Sequence, residues 1–161
     1  RPTIVNTKGR IGDLETDSMI FSNQKWILSV QVCRFSKKCA ITKLKNKTAV
    51  ETKYALTRAI EDEYGSHKVK TITFDNGTEN VKHAELKATY GIETYFCDSY
   101  CSWQKGLVEN TNKLIRQYLP RNTNMNKITQ DQIYVIQEKL NNRPRKTLGY
   151  KTPNQVYANF Y

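Results

Sequence analysis

Val69-Lys70-Thr71-Ile72-Thr73-Phe74-Asp75-Asn76-Gly77 is the stretch on which the fold turns. Val69 to Phe74 reads as a short β-strand, and Asn76-Gly77 supplies the left-handed backbone that takes a chain sharply off a strand end. An Asn-Gly pair is also the strongest short-range hairpin signal. A hairpin needs a return strand, however, and the following residues, from Val81 to Tyr90, read as a helix stopped by Gly91. Ile92 to Phe96 then reads as another strand, so the segment reads as a parallel strand-helix-strand unit, with Asp75 at a strand end suited to an active site ahead of a plain turn.

Working outward, residues 11–20, 26–34 and 39–45 read as three strands joined by short polar links, with Trp26, Leu28, Val30 and Val32 alternating onto one side. They predict an antiparallel meander. From Lys47 to Tyr64 the period becomes helical: Ala49, Val50, Tyr54, Leu56, Thr57 and Ile60 share a face opposite Glu51, Arg58 and Asp62, and Gly65 ends the run. Residues 104–119 form a second long helix closed by Pro120, followed by helices over 129–141 and 153–160. The sum is an α/β chain with a mixed five-stranded sheet, three antiparallel strands then two parallel, flanked by helices. That order is shared with the ribonuclease H-like fold. A length of 161 residues suits one domain spanning the chain.

The 26 Lys and Arg against 15 Asp and Glu leave a net charge of +11, which favours a polyanionic partner. No run approaches the ~18 apolar residues of a membrane span. The Arg1-Pro2 start has no signal-peptide layout, so the chain reads as a piece of a longer intracellular protein. Cys33, Cys39, Cys97 and Cys101 lack paired C-x-x-C spacing, and His67 and His83 are not at zinc-finger distances from them; free, mostly buried thiols are expected.

In so basic a chain three carboxylates stand out: Asp17 in a strand, Asp75 at a strand end and Glu109 on a helix. Oxygen-only ligands suit Mg²⁺, and two such ions can clamp the attacking and leaving oxygens of a phosphodiester displacement. Asp13 and Glu15 share the parity of Asp17 along the strand, and spacing alone does not choose among them. On the third helix of interest, Leu107, Val108, Thr111, Leu114, Ile115, Tyr118 and Leu119 make one arc, and Glu109, Asn112, Lys113 and Arg116 make the opposite one. An ordinary solvated face with a Glu109–Lys113 ion pair is the plain alternative.

Leu14-Glu15-Thr16-Asp17, Phe74-Asp75-Asn76-Gly77-Thr78-Glu79, Ser102-Trp103-Gln104-Lys105-Gly106-Leu107-Val108-Glu109-Asn110-Thr111-Asn112 and Asn141-Asn142-Arg143-Pro144-Arg145-Lys146-Thr147-Leu148-Gly149-Tyr150 occur in order. Together they resemble the catalytic core of bacterial insertion-sequence-thirty-type transposases, with retroviral integrases as wider relatives. The resemblance implies an acidic triad of Asp17, Asp75 and Glu109, the last two 34 positions apart, with Asp13, Glu15 and Glu79 in second rank. Leu14 and Thr16 depart from the Trp and Gly more usual beside the first carboxylate.

The implied activity is metal-dependent polynucleotidyl transfer on DNA: cleavage at a transposable-element end, then joining of the freed 3′-hydroxyl to target DNA. Mg²⁺ is the expected cofactor, with Mn²⁺ able to substitute and two ions per site. Element ends and target DNA are the expected partners, with a homodimer or larger assembly during reaction and a cytoplasmic, nucleoid-associated location in a bacterium. Asn112, Lys113 and Arg116 are expected to touch DNA near the cut because they share the Glu109 face. Trp103, Gln104 and Lys105, with Tyr100, suit a loop carrying a base-stacking aromatic, although Trp103 also reads as a core plug. Arg143, Arg145 and Lys146 form a second cluster suited to phosphate. The alternatives are a nuclease of the same fold that stops at hydrolysis and a non-catalytic nucleic-acid-binding module.

Overall fold

The computed structural model of the chain describes residues 1–77 and 82–159. The expected helix start at Val81, the Thr78-Glu79 end of the strand motif and position 160 lie outside the described residues. After a short helical turn, α1 (Thr3–Asn6), come β1 (Asp13–Ile20), β2 (Ile27–Cys33) and β3 (Cys39–Leu44). Then follow α2 (Ala49–Arg58), β4 (Thr71–Phe74), α3 (His83–Tyr90) and β5 (Glu93–Phe96). The chain ends with α4 (Gly106–Arg116), α5 (Gln130–Asn141) and α6 (Pro153–Ala158). Among the described residues no helix is long and apolar enough to cross a membrane.

The five strands lie in the order β3-β2-β1-β4-β5. β1–β2 and β2–β3 are antiparallel, whereas β1–β4 and β4–β5 are parallel, as the sequence predicts. The parallel pairs require crossovers, and the helices that make them cover the sheet. On one face Leu14, Ile72 and Phe74 pack with Leu56, Ile60, Tyr64, Leu86 and Tyr157, from α2, the turn after it, α3 and α6. On the other, Met19, Leu28, Val30, Val32 and Ile41 pack with Val108, Ile115, Ile133 and Leu140 of α4 and α5. Alternation along β1 sends Leu14 to the first face and Met19 to the second. Asp13, Glu15 and Asp17 share the parity of Met19 and so point toward α4.

The buried side of α2 differs from the expected one. Thr52, Ala55, Leu56, Ala59 and Ile60 face inward, while Val50 and Tyr54 are exposed. The small Ala55 and Ala59 let the helix lie close to the sheet, where larger groups would hold it off. Thr48 caps its start, accepting from the Glu51 N–H. Its end widens into a π-helical turn, Ala59–Tyr64, that drives the Tyr64 ring into the core. The Tyr64 hydroxyl lies 2.9 Å from the Gln31 carbonyl and 2.8 Å from that of Lys38.

β3 is an outer strand, and its free edge is closed by amide side chains of α5. The Cys39 N–H donates to Asn141 Oδ1 at 2.9 Å, and Asn141 Nδ2 donates back to the Cys39 carbonyl at 2.8 Å. The Ile41 N–H donates to Gln137 Oε1 and the Lys43 N–H to Gln130 Oε1, each at 2.8 Å. Capping boxes built on Thr129 and Gln132, and on Thr152 and Gln155, start α5 and α6. All four cysteines are free thiols, three of them buried, and burial pushes the Cys39 thiol up to about 12. Asn141→Ala strips partners from two buried backbone groups, and we expect a loss of roughly 2–4 kcal/mol by urea unfolding. An unchanged unfolding midpoint would contradict this role.

Candidate active site

The three same-facing acidic residues of β1 have three different surroundings. Asp13 is fully buried, bonded by Arg10 at 2.9 and 3.1 Å and by the Thr71 hydroxyl at 2.8 Å. Glu15 is also buried: one oxygen takes Arg34 Nη1 at 2.7 Å and the other takes the Val108 N–H at 2.9 Å. That N–H belongs to the first turn of α4, where a helix has unmatched donors and a positive end. Glu15 therefore docks the helix onto the strand. Asp17 stands further along, at the sheet margin, with its carboxylate partly open to solvent. Burial thus separates Asp13 and Glu15 from Asp17, the one of the three whose carboxylate solvent reaches.

Asp75 follows β4, the parallel neighbour of β1, and one of its oxygens caps the turn by accepting the Gly77 N–H at 3.0 Å. Asp17 and Asp75 meet at a single cation, the Lys105 ammonium, 3.3 Å from Asp17 Oδ1 and 3.5 Å from Asp75 Oδ2. Burial alone would raise the Asp75 carboxyl, but Lys105 and the Gly77 N–H outweigh it and hold the group below its ordinary value. Burial likewise lowers the Lys105 ammonium, and the two aspartates reverse the effect, leaving it raised. Asn112 Nδ2 donates to the other Asp17 oxygen at 3.1 Å.

Glu109 projects from the exposed side of α4 into a cleft of about 360 Å³ that it shares with Asp17, Asp75, Asp98, Tyr100 and Lys105. A second cleft of about 320 Å³, lined by Asn112, Lys113, Arg116 and Arg121, also contains Asp17 and Glu109. The two form one trough, with carboxylates in the middle and cations at one end. Among the described residues no three acidic, His or Cys groups stand in a ready metal-binding arrangement. Two carboxylates already share a cation, and Glu109 is on the wall of the same cleft.

The expected DNA-contact residues divide. Asn112 and Lys113 line the trough, as does Arg116, which is half-buried. Arg116 donates to the Ile20 carbonyl at 2.6 Å and lies over the Phe21 ring, so much of its guanidinium is spent on holding the end of β1. Lys105, expected in a loop that touches DNA, is instead only 6% exposed, turned in on the aspartates. Gln104 braces its own loop, with its side chain exchanging hydrogen bonds with Asp98. Trp103 is 73% exposed, which removes the core-plug reading, and Tyr100 beside it is fully exposed.

The C-terminal cluster is elsewhere. Arg145 lines a separate cavity with Leu107, Asn110 and Thr111, on the flank of α4 away from Glu109. Arg145 donates to the Leu140 carbonyl at the end of α5, Arg143 donates to the Tyr118 hydroxyl, and Lys146 is exposed. These residues do not adjoin the carboxylates. Sequence reasoning missed Arg121, whose place directly after Pro120 at the end of the helix was its available signal. It also missed the Arg34–Glu15 pair, which nothing local announces. Glu15→Gln leaves the buried Arg34 without a counter-charge, and we expect about 3–5 kcal/mol of destabilisation in chemical denaturation. A variant within 1 kcal/mol of the parent, roughly the scale of an exposed pair, would show that the pair does not anchor α4.

Residues 10–102 match the family described as "Integrase core domain". The chain is 43% identical over 157 residues to the transposase for insertion sequence element IS4351 of Bacteroides fragilis, covering 98% of this chain and 48% of that protein. It is 36% identical over 152 residues to transposase InsI for insertion sequence element IS30A of Escherichia coli (strain K12), covering 94% and 39%. The chain thus spans about half or less of the length of these curated relatives. Among solved structures, the catalytic core domain of BIV integrase aligns with a TM-score of 0.71 at 20% identity, covering 91% of this chain and 93% of that one. The HTLV-2 integrase catalytic core domain in complex with magnesium, in its dimeric form, aligns with a TM-score of 0.67 at 25% identity, covering 92% and 97%. The fold is the ribonuclease H-like fold of integrase catalytic cores, and the chain belongs to the integrase core domain family.

Proposed function

We propose that this domain is the catalytic core of a DNA transposase that cleaves and joins phosphodiesters with a divalent metal held by Asp17, Asp75 and Glu109. The observation that carries the reading is the meeting of Asp17 and Asp75 at one cation position, with Glu109 on the wall of the same cleft. The donor set fits Mg²⁺, a hard ion that takes carboxylate oxygen. The likeness to named transposases and to an integrase core in complex with magnesium supports the transposase and divalent-metal parts of the reading. Held by Asp17, Asp75 and Glu109, one or two Mg²⁺ ions, or Mn²⁺ in their place, would supply Lewis acidity that activates the attacking oxygen and offsets the negative charge of the transition state.

The chain's own residues orient the reactants. Asn112 fixes one oxygen of Asp17, and the Gly77 N–H fixes Asp75. Lys113 and Arg121, with Arg116, hold DNA phosphates along the basic end of the trough. Tyr100 and Trp103 present exposed rings on which an unpaired base stacks. In cleavage, a water oxygen bonds to phosphorus as the bond to the 3′-oxygen breaks. The freed 3′-hydroxyl then bonds to a target phosphorus and expels the 3′-oxygen of that strand. Element ends and target DNA are the substrates, the assembly is at least a dimer during reaction, and the work is done on the bacterial nucleoid in the cytoplasm.

Asp75→Asn in the full-length chain is expected to lower both cleavage and strand transfer by at least ~10²-fold while DNA binding persists. Cutting at the parental rate would remove Asp75 from the site. A precut 3′-hydroxyl end offered with a target duplex separates this reading from a nuclease, which releases no joined product. Binding of DNA is expected to weaken with salt, and Lys113→Ala or Arg121→Ala should each reduce the slope of log affinity against log salt by ~0.9. An unchanged slope excludes that side chain as a phosphate contact.

A further inference from the structure

Lys105 is placed where it can decide when the site accepts metal. It closes the 3₁₀ turn Ser102–Lys105 that leads into α4, and its side chain is 8% exposed. Its ammonium lies 3.2 Å from the Thr16 carbonyl, 3.3 Å from Asp17 Oδ1 and 3.5 Å from Asp75 Oδ2. A main-chain oxygen and two carboxylates from adjacent strands thus form an oxygen shell around one buried positive charge. Magnesium requires oxygens at ~2.0–2.1 Å and tolerates no ammonium inside that shell. Two positive charges in one buried space repel strongly, so the ion and the lysine exclude each other there.

We propose that Lys105 is an internal counter-ion that holds Asp17 and Asp75 together in the metal-free protein and must leave its position for a divalent ion to bind. The proposal rests on the metal reading of those two aspartates. It makes Lys105 a positioning residue in one state and an obstacle in the other. Without metal, the ammonium neutralises two carboxylates that would otherwise repel each other across the sheet margin. With metal, the same carboxylates are claimed by the ion and the lysine swings out of the cleft. The apparent metal affinity is then reduced by the fraction of molecules in which the lysine occupies the shell. The coupling shifts metal binding to higher concentration without changing the shape of the binding curve.

The test uses Mn²⁺ alone as the probe. Calorimetric titration of Lys105→Met is expected to show Mn²⁺ binding at least ~5-fold tighter than in the parent, and Lys105→Arg, which keeps the charge, close to the parent. The metal-free Lys105→Met protein should melt lower than the parent, and saturating Mn²⁺ should raise its Tm by more. A second measurement needs no substitution: amine-directed labelling of the parent, read by mass spectrometry at Lys105, should rise several-fold on adding Mn²⁺ as the side chain is expelled. Mn²⁺ binding that is equal or weaker in Lys105→Met, or labelling of Lys105 unchanged by metal, overturns the proposal. Asp17→Asn and Asp75→Asn serve as the controls for its foundation. If both bind Mn²⁺ like the parent, the metal site itself is misassigned; if both lose it while Lys105→Met gains nothing, only the counter-ion role falls.

Discussion

The candidate site in this domain hangs on a buried carboxylate that lies outside it. Glu15 reaches from β1 to the first turn of α4 and to Arg34 at the end of β2, so one acidic group joins two strands and a helix. A helix start has free N–H groups that must find acceptors when buried, and a buried guanidinium must find an anion. Each need is met by the other's solution. Because Asp17 lies two residues beyond Glu15 on the same side of the strand, and Glu109 one residue beyond Val108 on the helix, this contact sets the spacing between two of the three candidate ligands. The third, Asp75, is set by the parallel pairing of β4 with β1.

Charge is distributed in the site with the same economy. The chain is strongly basic, yet the acids that face α4 are each matched by a particular cation: Arg10 with Asp13, Arg34 with Glu15, Lys105 with Asp17 and Asp75. Two of these pairings involve completely buried acids and define architecture. The last is at the margin, where solvent reaches both aspartates. Further out, Arg116 and Arg121 crowd each other, and burial together with that repulsion pulls the Arg116 guanidinium down. Cations gathered without enough carboxylates to balance them make an anion-seeking surface.

The architecture was readable wherever the residue period was unambiguous. β2, with Leu28, Val30 and Val32 alternating, and α4, with Val108, Thr111 and Ile115 at helical spacing, occupy the places their patterns assign. The parallel βα unit followed from Asp75-Asn76-Gly77 because no return strand was available. What could not be read was anything decided by a partner distant in sequence. Asp13, Glu15 and Asp17 look alike along a strand, and partners distant in sequence, among them Thr71, Val108 and Asn112, distinguish them. The inward face of α2 was misjudged because hydrophobicity favoured Val50 and Tyr54, whereas close approach favoured Ala55 and Ala59. Lys105 reads as a surface cation in any pattern, since its burial depends on aspartates 30 and 88 positions away.

The amide ladder that α5 lays along β3 has a consequence for how copies of this chain can meet. An outermost strand ordinarily displays a row of unsatisfied peptide groups that can template the addition of foreign backbone. Here Gln130, Gln137 and Asn141 answer the outward N–H groups of Lys43, Ile41 and Cys39 from within the same molecule. Polymerisation by strand addition is therefore blocked on that flank, and any contact between neighbouring cores there must be made by helix faces and loops, which can separate again without unravelling a continuous sheet.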